Sequence, residues 1–97
     1  MQVRHLDSKL ERLETDASFR GGYDHKIIKA FRKTMAIIRD AEDERVFYSF
    51  KGLHYEKLKG DRSHERSMRL NDQFRLILQI VEEDGTTVVV IRIEDYH

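Results

Sequence analysis

Residues 94–97 bring together, within four positions, side-chain types that proton transfer and base stacking require. They follow the apolar run 88–93 and are Glu94, Asp95, Tyr96 and His97. Histidine and carboxylates exchange protons near neutral pH, and a tyrosine ring offers a stacking face to a base. Taken alone, these four residues favour a simpler role, in which Tyr96 and His97 only cover the end of the hydrophobic core.

A second group of candidate residues is basic and precedes the first by some twenty positions. Between positions 51 and 75, four acidic residues stand against seven basic ones: Lys51, Lys57, Lys59, Arg62, Arg66, Arg69 and Arg75. The planar fork of an arginine binds two phosphate oxygens at once. Arg69 and Arg75 flank a predicted turn, so both could converge on one phosphate. They could equally pair with surface carboxylates such as Asp72, and the sequence leaves both alternatives open.

Several common chemistries lack their residues in this chain. It has no cysteine, which excludes disulfides, thiolate metal sites and cysteine nucleophiles. Phosphate-binding glycine loops, zinc-protease helices and serine-hydrolase elbows have no matching motif. The five histidines are not spaced as metal ligands, so we expect no metal and no cofactor.

The remaining set of cations, carboxylates, tyrosine and histidine fits metal-free cleavage of RNA. That reaction requires a base for the 2′-hydroxyl, cations for the five-coordinate phosphate and a proton for the leaving 5′-oxygen. Arginines suit the phosphate, whereas histidine or a carboxylate suits the proton transfers.

Length and composition bound the organisation of the chain. Its 97 residues predict a single domain over positions 1–97. The formal net charge is zero, from 18 basic and 18 acidic residues, which gives no support to nucleic-acid binding through overall charge. No apolar run approaches the ~20 residues that span a bilayer, and residues 1–10 do not resemble a signal peptide. We therefore expect a cytoplasmic protein that does not associate with membranes.

The N-terminal half predicts an edge strand followed by two helices. Residues 1–6 are short and partly apolar, and Ser8 with Glu11 fits a capping box at a helix start. Paired glycines at 21 and 22 end this helix, and Asp24 is the expected N-cap of the next. The second helix has an apolar stripe: Ile27, Phe31, Thr34, Met35 and Ile38. The segment 46–50 is expected to form a short helical turn that packs aromatics on the core.

The C-terminal half predicts an antiparallel meander. Alternating residues indicate strands at 67–70, 74–81 and 86–93, with turn residues at 71–72 and 84–85. The last strand is largely apolar on both faces, so it should lie inside the sheet. Because the helices must bury their stripes against one sheet face, we predict an α+β fold with two N-terminal helices packed on a small antiparallel β-sheet.

Three segments of the sequence together resemble the HigB toxins, which belong to the RelE/ParE superfamily of type II toxin–antitoxin systems. The segments are residues 56–62 (EKLKGDR), 67–75 (SMRLNDQFR) and 94–97 (EDYH). Their order and spacing match across roughly the C-terminal half, whereas the N-terminal half matches only in its two-helix pattern.

The resemblance implies a RelE/ParE-like fold and a toxin that acts as a ribosome-dependent endoribonuclease, or mRNA interferase. Such an enzyme enters the A site of the 30S subunit and cuts the mRNA there without metal or cofactor. It also implies a HigA-like antitoxin with a helix-turn-helix domain as partner. The toxin would be a monomer within a hetero-oligomeric toxin–antitoxin complex.

The resemblance also carries roles to individual residues. Asp95, Tyr96 and His97 match the functional terminus of the family, with His97 expected in proton transfer and Tyr96 in stacking. Lys59 matches the motif lysine and Arg75 the arginine that meets phosphate. The same segments contain the other cations expected to bind RNA phosphate: Lys57, Arg62 and Arg69.

One departure from the family pattern concerns the base. Some relatives have a catalytic histidine three residues before the motif lysine, where this chain has Glu56. His54 lies two residues earlier, on the same side if the segment is extended. Glu56 or Asp95 is expected to orient groups or accept a proton, and which residue acts as the base stays open.

Two alternative functions remain at the level of sequence. The fold is shared with ParE-like proteins, which inhibit DNA gyrase by binding and without catalysis, and fold alone does not separate the two. A decayed toxin that survives as a binding module is the other alternative, to which the neutral net charge lends weight.

Overall fold

The computed structural model describes residues 1–95, and Tyr96 and His97 lie outside the described residues. Within that range the elements follow in the order β1 (Gln2–His5), α1 (Ser8–Thr15), α2 (His25–Asp40), α3 (Arg45–Ser49), β2 (Glu56–Lys57), β3 (Arg66–Arg69), β4 (Phe74–Glu82) and β5 (Thr86–Asp95). Two 3₁₀ turns, Lys51–Leu53 and Gly60–Arg62, flank β2. None of the described helices has the length and apolar character needed to cross a membrane.

The described strands form one five-stranded sheet in the order β1-β5-β4-β3-β2. Strands β3 to β5 pair antiparallel, as the predicted three-stranded meander requires. The short strand β2, which the sequence did not predict, pairs antiparallel with β3. The expectation of a purely antiparallel sheet is wrong, because β1 pairs parallel with β5, with Val3 opposite Val88. The long connection through the helices permits this direction, since parallel neighbours need a crossover. The edge position of β1 and the interior position of β5 are as predicted.

Of the two predicted helix N-caps, one is confirmed and the other is wrong. The side chain of Asp24 accepts a hydrogen bond from the amide of Lys26 at 2.7 Å, so this residue caps α2 as predicted. The predicted capping box at Ser8 is wrong. Asp7 is the N-cap of α1, and its carboxylate accepts from the amide of Lys9 at 2.8 Å. The extended Asp7 backbone places this carboxylate over the first turn, and Ser8 is already helical.

The core lies between the helices and one face of the sheet. Helix α2 buries Phe31, Met35 and Ile38 completely, as its predicted stripe requires. The sheet contributes alternate residues to the same cluster: Met68, Leu76, Leu78, Val88 and Val90. Helix α3 adds a third helix that the fold prediction did not count, and it buries Phe47 but leaves Tyr48 and Phe50 exposed.

The opposite face of the sheet carries the charged residues of interest, and we call it the distal face. Its side chains alternate with those of the core cluster, since successive strand residues point to opposite sides. Strand pairing aligns Arg69, Arg75 and Glu94 in one row across β3, β4 and β5. The neighbouring row runs from Glu56 on β2 to Arg92 on β5.

Candidate active site

A cavity of about 290 Å³ opens where the distal face meets the turn between β3 and β4. Its lining combines basic, acidic and imidazole side chains: His54, Glu56, Ser67, Arg69, Asn71, Asp72, Phe74 and Arg75. A nucleotide phosphate fits a concave surface of this size and leaves room for adjoining sugar atoms. Residues from the first and the second of the three sequence segments, 56–62 and 67–75, therefore meet at one place.

Arg69 and Arg75 reach this cavity together because they are paired in register on adjacent strands. Their adjacent positions are compatible with binding one phosphate together. Both arginines also pair with carboxylates, as the alternative interpretation expects. Arg69 forms an ion pair with Asp72. Arg75 has a side chain only 16% exposed, and its guanidinium lies 3.7 Å from Glu56 and 3.5 Å from Glu94. These last two separations are long for charge-assisted hydrogen bonds, so an incoming phosphate can compete with them.

Glu56 and His54 line the same cavity, although the segment between them is not extended. His54 ends the 3₁₀ turn Lys51–Leu53 with φ of 45°, in the left-handed region. Non-glycine residues rarely adopt this conformation, which is often retained at functional sites. Glu56 enters β2 opposite Ser67 and directs its carboxylate towards Arg75. Both candidates for the base thus line the same cavity as Arg69 and Arg75.

A closed ring of ion pairs lies next to Arg75 on the distal face. Arg62 binds Glu94 through two contacts, Nη2 to Oε1 at 2.9 Å and Nη1 to Oε2 at 3.2 Å, and its Nε donates to Glu65 at 2.8 Å. Arg92 closes the ring with Glu65 at 3.2 Å and with Glu94 at 3.3 Å. Arg62 is therefore connected through Glu94 to Arg75, which lines the cavity.

The carboxylates of this ring are held in their charged form. Burial raises the pKa of Glu65, but hydrogen bonds from Arg62 and Arg92 outweigh it, so its pKa lies below the usual value. Burial likewise opposes ionisation of Glu94, whose pKa is nevertheless lowered by Arg62 and then by Arg92. The hydrogen bond to Glu94 is in turn the largest cause that raises the pKa of Arg62.

The other predicted residues lie away from the cavity or on its margin. Lys57 is exposed and follows Glu56 on β2, so it points to the other side of that strand. Lys59 is exposed directly before the turn Gly60–Arg62. Among the described residues, neither lysine lines the cavity.

Asp95 lies on the other side of the sheet from Arg75. It is paired in register with Phe74, whereas its neighbour Glu94 is paired with Arg75. Its carboxylate accepts a hydrogen bond from Gln73 Nε2 at 3.3 Å. The predicted roles of Tyr96 and His97 concern residues outside the described range.

Sequence reasoning missed Glu65 and Arg92 as parts of the site, and it assigned no specific role to Glu94. The available signal was the charged alternation of Arg92 and Glu94 at the end of an otherwise apolar strand. A register counted from the turn at 84–85 would have placed Ile93 opposite Arg75, because the β-bulge between Ile77 and Leu78 that brings Glu94 to this position is not visible in the sequence. Across residues 1–95, no three side chains of histidine, aspartate or glutamate form a group that could hold a metal ion.

Comparison with solved structures identifies the fold. The chain is similar to a YoeB/ParE toxin from Agrobacterium tumefaciens, with 16% identity, full coverage of both chains and a TM-score of 0.58. It is also similar to a conserved hypothetical protein from Helicobacter pylori, at 14% identity over 99% and 94% of the two chains, with a TM-score of 0.54. The YoeB dimer from Staphylococcus aureus gives 15% identity, 100% and 97% coverage and a TM-score of 0.53.

Comparison with protein families gives a match over almost the whole chain. The model that describes the RelE-like toxin of the type II toxin–antitoxin system HigB matches residues 4–97. No curated protein matches the sequence with significant similarity.

Proposed function

Because this chain belongs to the HigB-like family of RelE-like toxins of type II toxin–antitoxin systems, we propose that it is a ribosome-dependent endoribonuclease that cuts mRNA in the A site. The observation that carries the proposal is the cavity in which Arg69 and Arg75 meet beside Glu56 and His54. It combines phosphate-binding cations with groups that can accept a proton.

The proposed reaction is an in-line attack of the RNA 2′-oxygen on the adjacent phosphorus. Arg75 and Arg69 bind the non-bridging oxygens and stabilise the charge that develops on the five-coordinate phosphate. Glu56 accepts the proton of the 2′-hydroxyl, since it is the carboxylate that contacts Arg75 on the cavity side. His97 gives a proton to the leaving 5′-oxygen, and Tyr96 stacks on a base. The products are a 2′,3′-cyclic phosphate and a 5′-hydroxyl.

The ribosome has a physical role in this proposal. A protein with no net charge gains little from long-range attraction to RNA. Within the cavity, carboxylates also stand opposite the two arginines. Presentation of the mRNA by the 30S A site would supply the positioning that free RNA lacks.

The family membership also suggests the protein partner. We propose that a HigA-like antitoxin with a helix-turn-helix domain binds one toxin monomer within a hetero-oligomeric complex and inhibits it. Its expected site of action, like that of the ribosome, is the cytoplasm.

The proposal is tested by adding the purified protein to translating ribosomes and mapping the 5′-ends of the mRNA. Cuts at A-site codons are expected with the complete chain, and none after deletion of His97. Full cutting by the deletion variant would refute the role of His97, and uncut mRNA with the complete chain would refute the activity.

The same preparations should be assayed for inhibition of DNA supercoiling by gyrase. Inhibition of gyrase together with intact mRNA would favour the ParE-like alternative. A decayed toxin would neither cut mRNA nor inhibit gyrase. Its induction without the antitoxin would also leave cell growth unchanged.

A further inference from the structure

The ion-pair ring beside Arg75 has no net charge. Two arginines, Arg62 and Arg92, face two carboxylates, Glu65 and Glu94, and each member contacts two others. Arg75 lies beside the ring and contacts its member Glu94 through Nη2 at 3.5 Å. The charge of Glu94 is therefore shared among three arginines, and its distribution decides how much positive charge Arg75 presents to the cavity.

The distances show that Arg62 is the main partner of Glu94. Arg62 donates to both carboxylate oxygens at 2.9 and 3.2 Å, which is the strong two-point geometry of arginine with carboxylate. The contact of Glu94 with Arg75 is longer by about half an ångström. The side chain of Glu94 is only 23% exposed, so water alone satisfies little of its charge.

Removal of Arg62 would change this distribution. A mostly buried carboxylate that loses its main partner moves towards the remaining cations. Arg75 is well placed to replace Arg62, because strand pairing sets it directly opposite Glu94. A tighter pair between Glu94 and Arg75 would occupy the guanidinium that faces the cavity.

We propose that Arg62 is a positioning residue that holds Glu94 and thereby keeps Arg75 able to bind phosphate. This role differs from the direct phosphate contact that the sequence predicts for Arg62. The inference rests on the phosphate-binding role of Arg75 in the proposed function, but it concerns binding and does not require cleavage.

The test is a double-mutant cycle read by phosphate binding to the isolated protein. Inorganic phosphate is titrated while the NMR signal of the Arg75 Nε–H group is followed. Arg62→Met is expected to weaken binding roughly fivefold, the size of an effect of ~1 kcal/mol for a partly exposed ion pair. The double variant Arg62→Met with Glu94→Gln is expected to bind within about twofold of the unaltered protein.

The outcomes separate the two roles of Arg62. Binding by the double variant that stays as weak as that of Arg62→Met would overturn the proposal, because Arg62 would then contact phosphate itself. Unchanged binding by Arg62→Met, or no saturable binding by the unaltered protein, would overturn it as well. Arg4→Met is the matched control, since Arg4 forms a similar exposed pair with Glu83 at 3.0 Å on β1, the edge strand opposite β2.

A second variant keeps the proposal testable if Arg62→Met does not fold. Arg92→Met also removes a partner of Glu94, at 3.3 Å, and should weaken phosphate binding by a smaller factor that Glu94→Gln restores. Failure of this rescue in a folded Arg92→Met protein would again contradict the proposal. If Glu94→Gln restores phosphate binding but the unaltered protein leaves mRNA uncut, only the proposed function is refuted. If the unaltered protein cuts mRNA but Glu94→Gln does not restore phosphate binding, only this inference is refuted.

Discussion

Arg75 is the residue at which the electrostatics of the site converge. It lies between Arg69 and Glu94 in one row of the sheet, and most of its side chain is enclosed. Its fork can replace two long carboxylate contacts with two shorter contacts to phosphate oxygens. A lysine at this position would keep the charge but offer only one point of attachment.

We therefore predict that Arg75→Lys lowers the rate of mRNA cleavage on ribosomes at least tenfold, given the roughly 10²-fold losses that follow removal of one transition-state donor. The rate is measured by quantitative primer extension. Arg4→Lys, which alters an exposed pair remote from the cavity, should cleave at the unaltered rate. A fully active Arg75→Lys protein would show that the two-point contact is unnecessary.

The identity of the base is a second question at the residue scale. Glu56 contacts Arg75 at 3.7 Å, whereas His54 lines the same cavity from a left-handed backbone. We predict that Glu56→Gln lowers cleavage by roughly 10²-fold, the lower range for loss of a general base, and that His54→Gln retains most of the rate. Single-turnover cleavage across pH 5–8 measures both. The reverse ranking, with loss of the acidic limb in His54→Gln, would assign the base to His54.

Residue-level prediction from the sequence succeeded where neighbours in the chain decide the geometry. Arg69 and Arg75 meet because a short turn joins their strands, and turn residues are visible in the sequence. The contacts of Glu94 with Arg62 and Arg75 were not predicted, because they depend on the pairing of distant segments and on a bulge. Such pairings are set by the whole sheet.

At the scale of elements, the N-cap of α1 is Asp7 and not the predicted Ser8. Asp7 accepts the amide of Lys9, whereas Ser8 already belongs to the helix. Asp7→Ala should lower the free energy of unfolding by about 1 kcal/mol, as loss of an N-cap side chain does. Ser8→Ala should change it by less than about half of that. Urea denaturation measures both, and a larger effect of Ser8→Ala would restore the capping box.

The parallel pairing of β1 is an element-scale feature that the sequence could not supply. Residues 1–6 predict a strand at an edge, but both its neighbour and its direction depend on where the two helices return the chain. Local pattern carries no information on that direction. The antiparallel meander was predictable because tight turns fix its direction.

A carboxylate on α1 connects three elements of this N-terminal half. Glu14 accepts hydrogen bonds from Arg39 of α2 and lies 2.9 Å from His5 of β1. The hydrogen bond to Arg39 is the main cause that lowers the pKa of Glu14 below its usual 4.5, against the effect of burial. A lowered pKa in the folded state stabilises the fold above the unfolded-state pKa, and this contribution disappears as pH falls through the folded-state value.

We predict that stability declines below about pH 4.5 partly through Glu14, and that Glu14→Gln declines less steeply there. Glu14→Gln should also be less stable than the unaltered protein at pH 7, where the ion pair is complete. Urea midpoints between pH 3 and pH 7 measure both effects. Glu83→Gln serves as control, because Glu83 is about half exposed in its pair with Arg4. Parallel pH profiles for Glu14→Gln and the unaltered protein would exclude this contribution.

At the scale of the whole molecule, nine of the 18 cations are arginines that pair with carboxylates within residues 1–95. Nine arginines contact carboxylates within the described residues, namely Arg4, Arg12, Arg39, Arg45, Arg62, Arg66, Arg69, Arg75 and Arg92. A cation that is already paired releases few counterions from RNA, since its own carboxylate competes with the phosphate. A paired arginine should therefore contribute to salt dependence only if it exchanges its carboxylate for phosphate.

This pairing predicts a shallow salt dependence for binding of short single-stranded RNA. If Arg69 and Arg75 are the two cations that exchange partners, the slope of log affinity against log salt should be about −1.4, at roughly −0.7 for each phosphate. The measurement uses a non-cleavable 2′-O-methyl oligonucleotide, and Arg75→Met should reduce the slope by about half. The double variant Lys57→Met with Lys59→Met is the matched control and should keep it, because both exposed lysines lie outside the cavity lining. A slope steeper than about −3 that falls in the lysine variant would extend the RNA surface from the cavity to the segment before Gly60.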